Sequence, residues 1–159
     1  MLTGYAVLIA GMVAITSGAQ AACHNGTIRG DYTFTVHGHA LSPDGSTSVG
    51  LIDGVGIISF DGHGAFVQED YVVLNGVQFP GGPPNPAGFH TNEGGPYSVN
   101  ADCTGSKTVV LGPGNERGVA FVISNSGRTM HGIVSSALID GSPGRVEVYT
   151  DYERVDGKQ

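Results

Sequence analysis

The sequence predicts an all-β protein, a single up-and-down antiparallel barrel of about eight strands, on three observations. Apolar side chains recur with period two along nearly the whole chain, the pattern of strands that bury one face. Turn signals of Gly, Asn, Asp and Ser separate these runs at a spacing of about 8–12 residues. Gly at 27 and Pro at 8 of 159 positions disfavour helix interiors, and no window carries the apolar period of a three-turn helix.

The first alternating run is Asp31 to His37, with Tyr32, Phe34 and Val36 on one side and Thr33, Thr35, His37 and His39 on the other. Gly50 to Phe60 follows, rich in Ile and Val, and ends at Asp61-Gly62-His63-Gly64, a tight hairpin signal. Ala65 to Leu74 returns as a strand and closes at Asn75-Gly76. Gln78 to Gly95 has four prolines and no period, so it reads as a long loop. Tyr97 to Asp102 alternates again, turns through Cys103-Thr104-Gly105-Ser106, and continues as Lys107 to Leu111. Gly118 to Ser124 and Arg128 to Ser135 flank the Asn125-Ser126-Gly127 hairpin, and Arg145 to Arg154 is the last strand. Consecutive hairpins in even number point to a barrel, whose closure removes the unpaired edges of an open sheet. A β-sandwich is the alternative; it needs Greek-key crossings that these hairpins do not demand.

Composition narrows the function. Lys plus Arg number 7 against 14 Asp plus Glu, a net charge of −7, which excludes a nucleic-acid binder held by phosphate contacts. Residues 1–21 carry no charged side chain, and the apolar run Tyr5 to Ile15 spans 11 residues before Ala19-Gln20-Ala21. That run is too short for a bilayer, which needs about 20 residues, and fits a signal peptide with an A-x-A cleavage site. The expectation is therefore a leader over 1–21, one barrel domain over 22–159, a secreted or periplasmic location, and no membrane association once the leader is removed. Cys23 and Cys103 are the only cysteines, and in an exported chain two cysteines read as one disulfide. Two buried free thiols are the alternative.

Gly30-Asp-Tyr32-Thr-Phe34, Phe60-Asp61-Gly62-His-Gly64 and Gly95-Pro-Tyr97-Ser-Val99-Asn100-Ala-Asp102-Cys103-Thr104-Gly105, followed by a Phe/Val/Ile strand, together carry a resemblance. The chain resembles small secreted β-barrel proteins related to the allene oxide cyclase and lipocalin-type barrels, over most of 23–136. The resemblance implies an eight-stranded barrel and a Cys23–Cys103 bridge. It implies no activity, because no cyclase residue matches position by position, and the Pro/Gly-rich 78–95 segment departs from the pattern.

Inward candidates for ligand contact are Tyr32, Phe34, Ile58, Phe60, Tyr97 and Phe121, with Phe89 on the long loop. Gly50, Gly54, Gly56, Ala120 and Gly132 are small enough to leave room inside. The 78–95 segment reads either as a rim at an open end or as a surface insertion. His37 and His39 share a strand face and are the weak candidates for a metal; the expectation is that neither metal nor cofactor is bound. Glu69 and Asp70 are adjacent and point to opposite sides, so one carboxylate faces the apolar side, and parity does not say which. Asp53 raises the same question. An inward carboxylate would be a general-acid candidate through desolvation. Three readings follow: a barrel binding a small, partly apolar molecule, an enzyme of the barrel-cyclase kind using a group such as Glu69 or His37, or a filled barrel with an interaction surface. The state of the interior separates them, since a barrel of about eight strands is either packed or just able to hold one ligand.

Overall fold

The computed structural model describes residues 22–79 and 81–156; the expected leader lies outside them. Among the described residues ten strands form one sheet: β1 (Gly30–Leu41), β2 (Ser48–Phe60), β3 (Ala65–Leu74), β4 (Val77–Gln78), β5 (His90–Val99), β6 (Thr104–Gly112), β7 (Asn115–Ser124), β8 (Thr129–Ile139), β9 (Ser142–Gly144) and β10 (Val146–Arg154). Eight of them run β10-β1-β2-β3-β5-β6-β7-β8, and β10 also pairs with β8, which closes the barrel. The short β4 and β9 are hairpin extensions of β3 and β8. Every pairing is antiparallel, and with β4 and β9 set aside each joins strands consecutive in the chain except β1–β10, which joins the first to the last, so the chain is an up-and-down barrel and not a sandwich. It is consistent with a lipocalin-like barrel.

Period-two alternation translates directly into wall and interior. Tyr32 and Phe34 are buried while Thr33, Thr35 and His37 are exposed, and Val148, Thr150 and Tyr152 are buried between exposed Glu147, Tyr149, Asp151 and Glu153. The hairpins are made where turn chemistry allows. Asp61 Oδ1 accepts hydrogen bonds from the backbone N–H of His63 (2.7 Å), Gly64 (2.9 Å) and Ala65 (3.0 Å), closing the β2–β3 turn. These donors hold the Asp61 carboxyl below its usual range. At Gly56 a Cβ would sit 2.5 Å from the Glu69 carbonyl oxygen and collide with the Phe34 ring, so only glycine lets β1, β2 and β3 coil so tightly there.

One end of the barrel is plugged. A 3-10 turn, Asn25–Ile28, lies across it and buries Ile28 completely. Arg154 Nη2 donates to the Tyr32 hydroxyl (2.7 Å) and to the Thr27 carbonyl (3.0 Å), while Tyr32 donates to the Gly127 carbonyl. Asn25 Oδ1 accepts from Val99 N–H at 2.8 Å, and the Cys23–Cys103 disulfide pins the segment to the β5–β6 turn. Beneath this plug Tyr32, Phe60, Phe66 and Tyr97 pack with centroids 4.9–5.8 Å apart around Phe60.

Three sequence expectations change. The turn after β5 is Asn100–Cys103 rather than 103–106, because Cys103 takes the left-handed conformation (φ 68°) and the chain is already a strand at Thr104. The long loop is shorter than 78–95: residues 90–95 belong to β5, paired with β3 through Asp70↔His90 and Gln68↔Glu93. Ala120 faces solvent and makes no room inside, whereas Gly50, Gly54, Gly56 and Gly132 share their strands' inward parity.

Candidate functional site

The opposite end is open and leads into a cavity of about 460 Å³. Leu41, Leu74, Phe79, Leu111, Ile139 and Pro143 ring the mouth, and Val36, Ile52, Val109, Val119 and Val148 line the walls. Their placement follows from strand direction: the mouth collects the ends of β1, β3, β6 and β8, and the starts of their partners. The size lies within the range of small-molecule sites, about 300–1,000 Å³.

One wall is polar. Gln68 and Asp70 on β3, His90 and Glu93 on β5, and Lys107 on β6 are all buried and line this cavity. Side chains three apart on a strand normally point to opposite faces. His90 and Glu93 both point inward because the β3–β5 register shifts between Gln68 and Asp70, and Asn92 adopts φ 58°. Such a bulge re-aims a side chain and leaves a non-glycine residue in a sparsely populated region, a cost that is commonest at functional sites.

Gln68 organises the group. Its Nε2 donates to Asp70 Oδ2 (3.0 Å) and to Glu93 Oε2 (3.3 Å), and its Oε1 accepts from Lys107 Nζ (3.2 Å). Gly82 N–H donates to Glu93 Oε1 at 3.2 Å. His90 Nδ1 lies 3.5 Å from Asp70 Oδ1 and 3.9 Å from Glu93 Oε1, and its Nε2 lies 3.2 Å from Gln78 Nε2. Burial raises the Asp70 carboxyl. Burial, with the neighbouring Asp70 charge, raises Glu93 to about 7. Two carboxylates this close do not both ionise easily, so Glu93 holds a proton against Asp70 near neutrality. Burial lowers Lys107 to about 7, against the opposing pull of Asp70 and Glu93. Its Nζ stands 4.7 Å from the Phe66 ring centroid, 5.1 Å from Tyr152 and 5.6 Å from Phe34. No carboxylate oxygen comes within 4 Å of it among the described residues. On the opposite wall, Thr150 Oγ1 is buried with no hydrogen-bond partner among the described residues.

Asp70, His90 and Glu93 place one ligand atom each within 4.8 Å of one another, the only such group among the described residues. Three of their four carboxylate oxygens already accept from neutral donors, and the Lys107 ammonium stands on the same wall. The cluster therefore suits a shared proton better than a divalent cation.

The expected residues divide. Tyr32, Phe34, Ile58, Phe60, Tyr97 and Phe121 are all buried, but of these only Phe34 lines the cavity; the other five belong to the packed core toward the plugged end. Phe89 lies outside the barrel, half-buried against Tyr71 with centroids 5.8 Å apart. His37 and His39 are exposed on the outer wall; His37 stacks on Tyr149, and His39 Nδ1 is 2.9 Å from Ser48 Oγ. Glu69 and Asp53 face outward, and Asp70 is the inward carboxylate. Cys23 and Cys103 are bonded as expected. Sequence reasoning missed Gln68, Glu93 and Lys107. Lys107 had a signal, its shared parity with Val109 and Leu111; Glu93 had none, because the bulge that turns it inward is a tertiary feature. The sequence matches no model of a known protein family, and no curated protein matches it either.

Proposed function

We propose that this protein binds a small, partly apolar molecule inside the barrel, with its apolar body against the valine and leucine walls and a polar group at the Gln68–Asp70–His90–Glu93–Lys107 wall. The observation that carries this is the open cavity of about 460 Å³ with convergent polar side chains on one side. Buried polar groups are costly unless partnered, and Thr150 Oγ1 and the two remaining Lys107 donors are satisfied by a ligand that offers acceptors. The cavity speaks against a filled barrel with surface roles alone. The barrel-cyclase alternative loses its named groups, since Glu69 and His37 are outside; the kinship with allene oxide cyclase barrels stays part of this reading at the level of a shared cup. The disulfide supports work in an oxidising compartment, as expected of an exported protein.

Equilibrium titration with the neutral apolar fluorophore N-phenyl-1-naphthylamine tests the reading. Saturable binding at one site is expected, weakened at least about tenfold by Val148→Phe, which fills the cavity at a cost in overpacking of roughly 1–3 kcal/mol. Absence of saturable binding, or binding indifferent to both Val148→Phe and Val119→Phe in folded protein, would overturn it.

A further inference from the structure

Lys107 is unusual among the polar groups of this wall. It projects from β6 into the cavity at 4% exposure, is walled by three aromatic rings, and makes one hydrogen bond among the described residues, to the Gln68 amide oxygen. An ammonium has three donors and no acceptor, so the protein leaves most of its capacity unused. A structural buried lysine would be expected on a carboxylate, yet Asp70 and Glu93 are held instead by Gln68, Gly82 and each other.

Resting on the ligand-binding reading above, we propose that Lys107 is a covalent capture site for an apolar aldehyde, which it binds as an imine inside the barrel. The ligand class follows from the wall. An anionic head group would meet Asp70, and a cationic one would meet Lys107; a neutral carbonyl suits both, accepting hydrogen bonds while it presents an electrophilic carbon to the amine. A long or cyclic hydrocarbon tail then occupies the apolar walls toward the mouth. A desolvated lysine in an apolar pocket is the usual nucleophile toward carbonyl compounds, and burial holds this amine at about 7. An ordinary lysine near 10.4 is unprotonated in only about one molecule in 2,500 at pH 7.

The chemistry is balanced without a redox partner. The Nζ lone pair forms a bond to the carbonyl carbon, the C=O electron pair moves onto oxygen, and one proton passes from nitrogen to oxygen to give the carbinolamine. Loss of the hydroxyl with a second proton from nitrogen expels water and leaves C=N. The Asp70–Glu93 pair, with one proton between two carboxyls, is placed on the same wall to shuttle both protons. Aldehyde plus amine becomes imine plus water, reversibly.

The chain contains only two lysines, Lys107 and Lys158, so the test is clean. The full chain is incubated with decanal and sodium cyanoborohydride at pH 7, and adducts are located by intact mass and peptide mapping. The expected result is one decyl group per chain on Lys107, favoured at least about tenfold over Lys158 and the N-terminal amine, and lost in Lys107→Arg and Lys107→Met. Glyceraldehyde, which has no apolar tail, should show no such preference. Equal labelling of Lys107 and Lys158, or none on Lys107, overturns the proposal. The naphthylamine titration on wild type and Lys107→Met separates the two ideas: retained fluorophore binding without a Lys107 adduct sinks the imine alone, and loss of all binding in wild type sinks the cup reading.

Discussion

Replacing Lys107 by Met gives the sharpest test of the buried wall. Met has similar length and no charge, so it keeps the contacts with Phe34, Phe66 and Tyr152 and removes the amine. Burial lowers Lys107 to about 7 in the folded barrel, from an ordinary lysine value of 10.5. Between those two values the unfolded chain holds the proton that the folded chain has given up, so stability must rise with pH through this window. Below about 7 the folded protein carries the full cost of the buried ammonium. Integrating the proton difference gives a gain of about 2 kcal/mol for wild type between pH 7 and 9. Glu93, raised to about 7, works the other way, and its cost grows as pH climbs from about 4.5. By pH 7 most of that cost is present, and it takes back only a small part of the gain. With a urea slope of about 2 kcal/mol/M, the wild-type midpoint should move up by about 1 M between pH 7 and 9, and that of Lys107→Met should not rise but fall slightly as Glu93 finishes ionising. At pH 7 the variant should be the more stable of the two. A flat wild-type profile, or one that Lys107→Met reproduces, would show instead that the ammonium is comfortably housed between its rings and carboxylates.

Other expectations are direct. Cys23→Ser with Cys103→Ser opens an 80-residue separation and should cost about 4–5 kcal/mol in the chain-entropy account, read as a fall in the denaturation midpoint. Gly56→Ala drives a methyl against the Glu69 carbonyl and the Phe34 ring, and should destabilise by about 1–3 kcal/mol in the same assay. Glu93→Gln should flatten the loss of stability between pH 4.5 and 7, because the amide cannot ionise; an unchanged acid profile would place the raised carboxyl elsewhere. Tyr32→Phe removes the hydroxyl that ties Arg154 and Gly127 at the plugged end, and should cost about 1–3 kcal/mol while leaving fluorophore binding at the far mouth unchanged.

The wall of the barrel was legible in the sequence because strand geometry is local. Each residue on β1 or β10 alternates sides whatever its partner does, so Tyr32, Phe34, Val148 and Tyr152 declare their face without knowledge of the rest. Turn residues are equally local: Asp61 caps the β2–β3 hairpin with an oxygen three bonds from its own backbone. The candidate site was legible only in part. Glu69 and Asp70 sit in a run, Phe66 to Leu74, where both parities are apolar, so alternation alone assigns neither. Leu51, Val55, Ile57 and Val67 lie exposed on the outer wall, which blurs the contrast further.

The succession of strands and the disulfide could be read from the sequence, the first because it rests on interactions between residues near in the chain, the second because only two thiols are present. Which polar groups meet depends on the folded arrangement. The Asn92 bulge turns His90 and Glu93 to the same side, and the β3–β5–β6 register sets Gln68 against both carboxylates and Lys107. Register is a property of paired strands and not of either one, so a one-residue change in pairing, invisible in composition or period, would have put this wall in solvent.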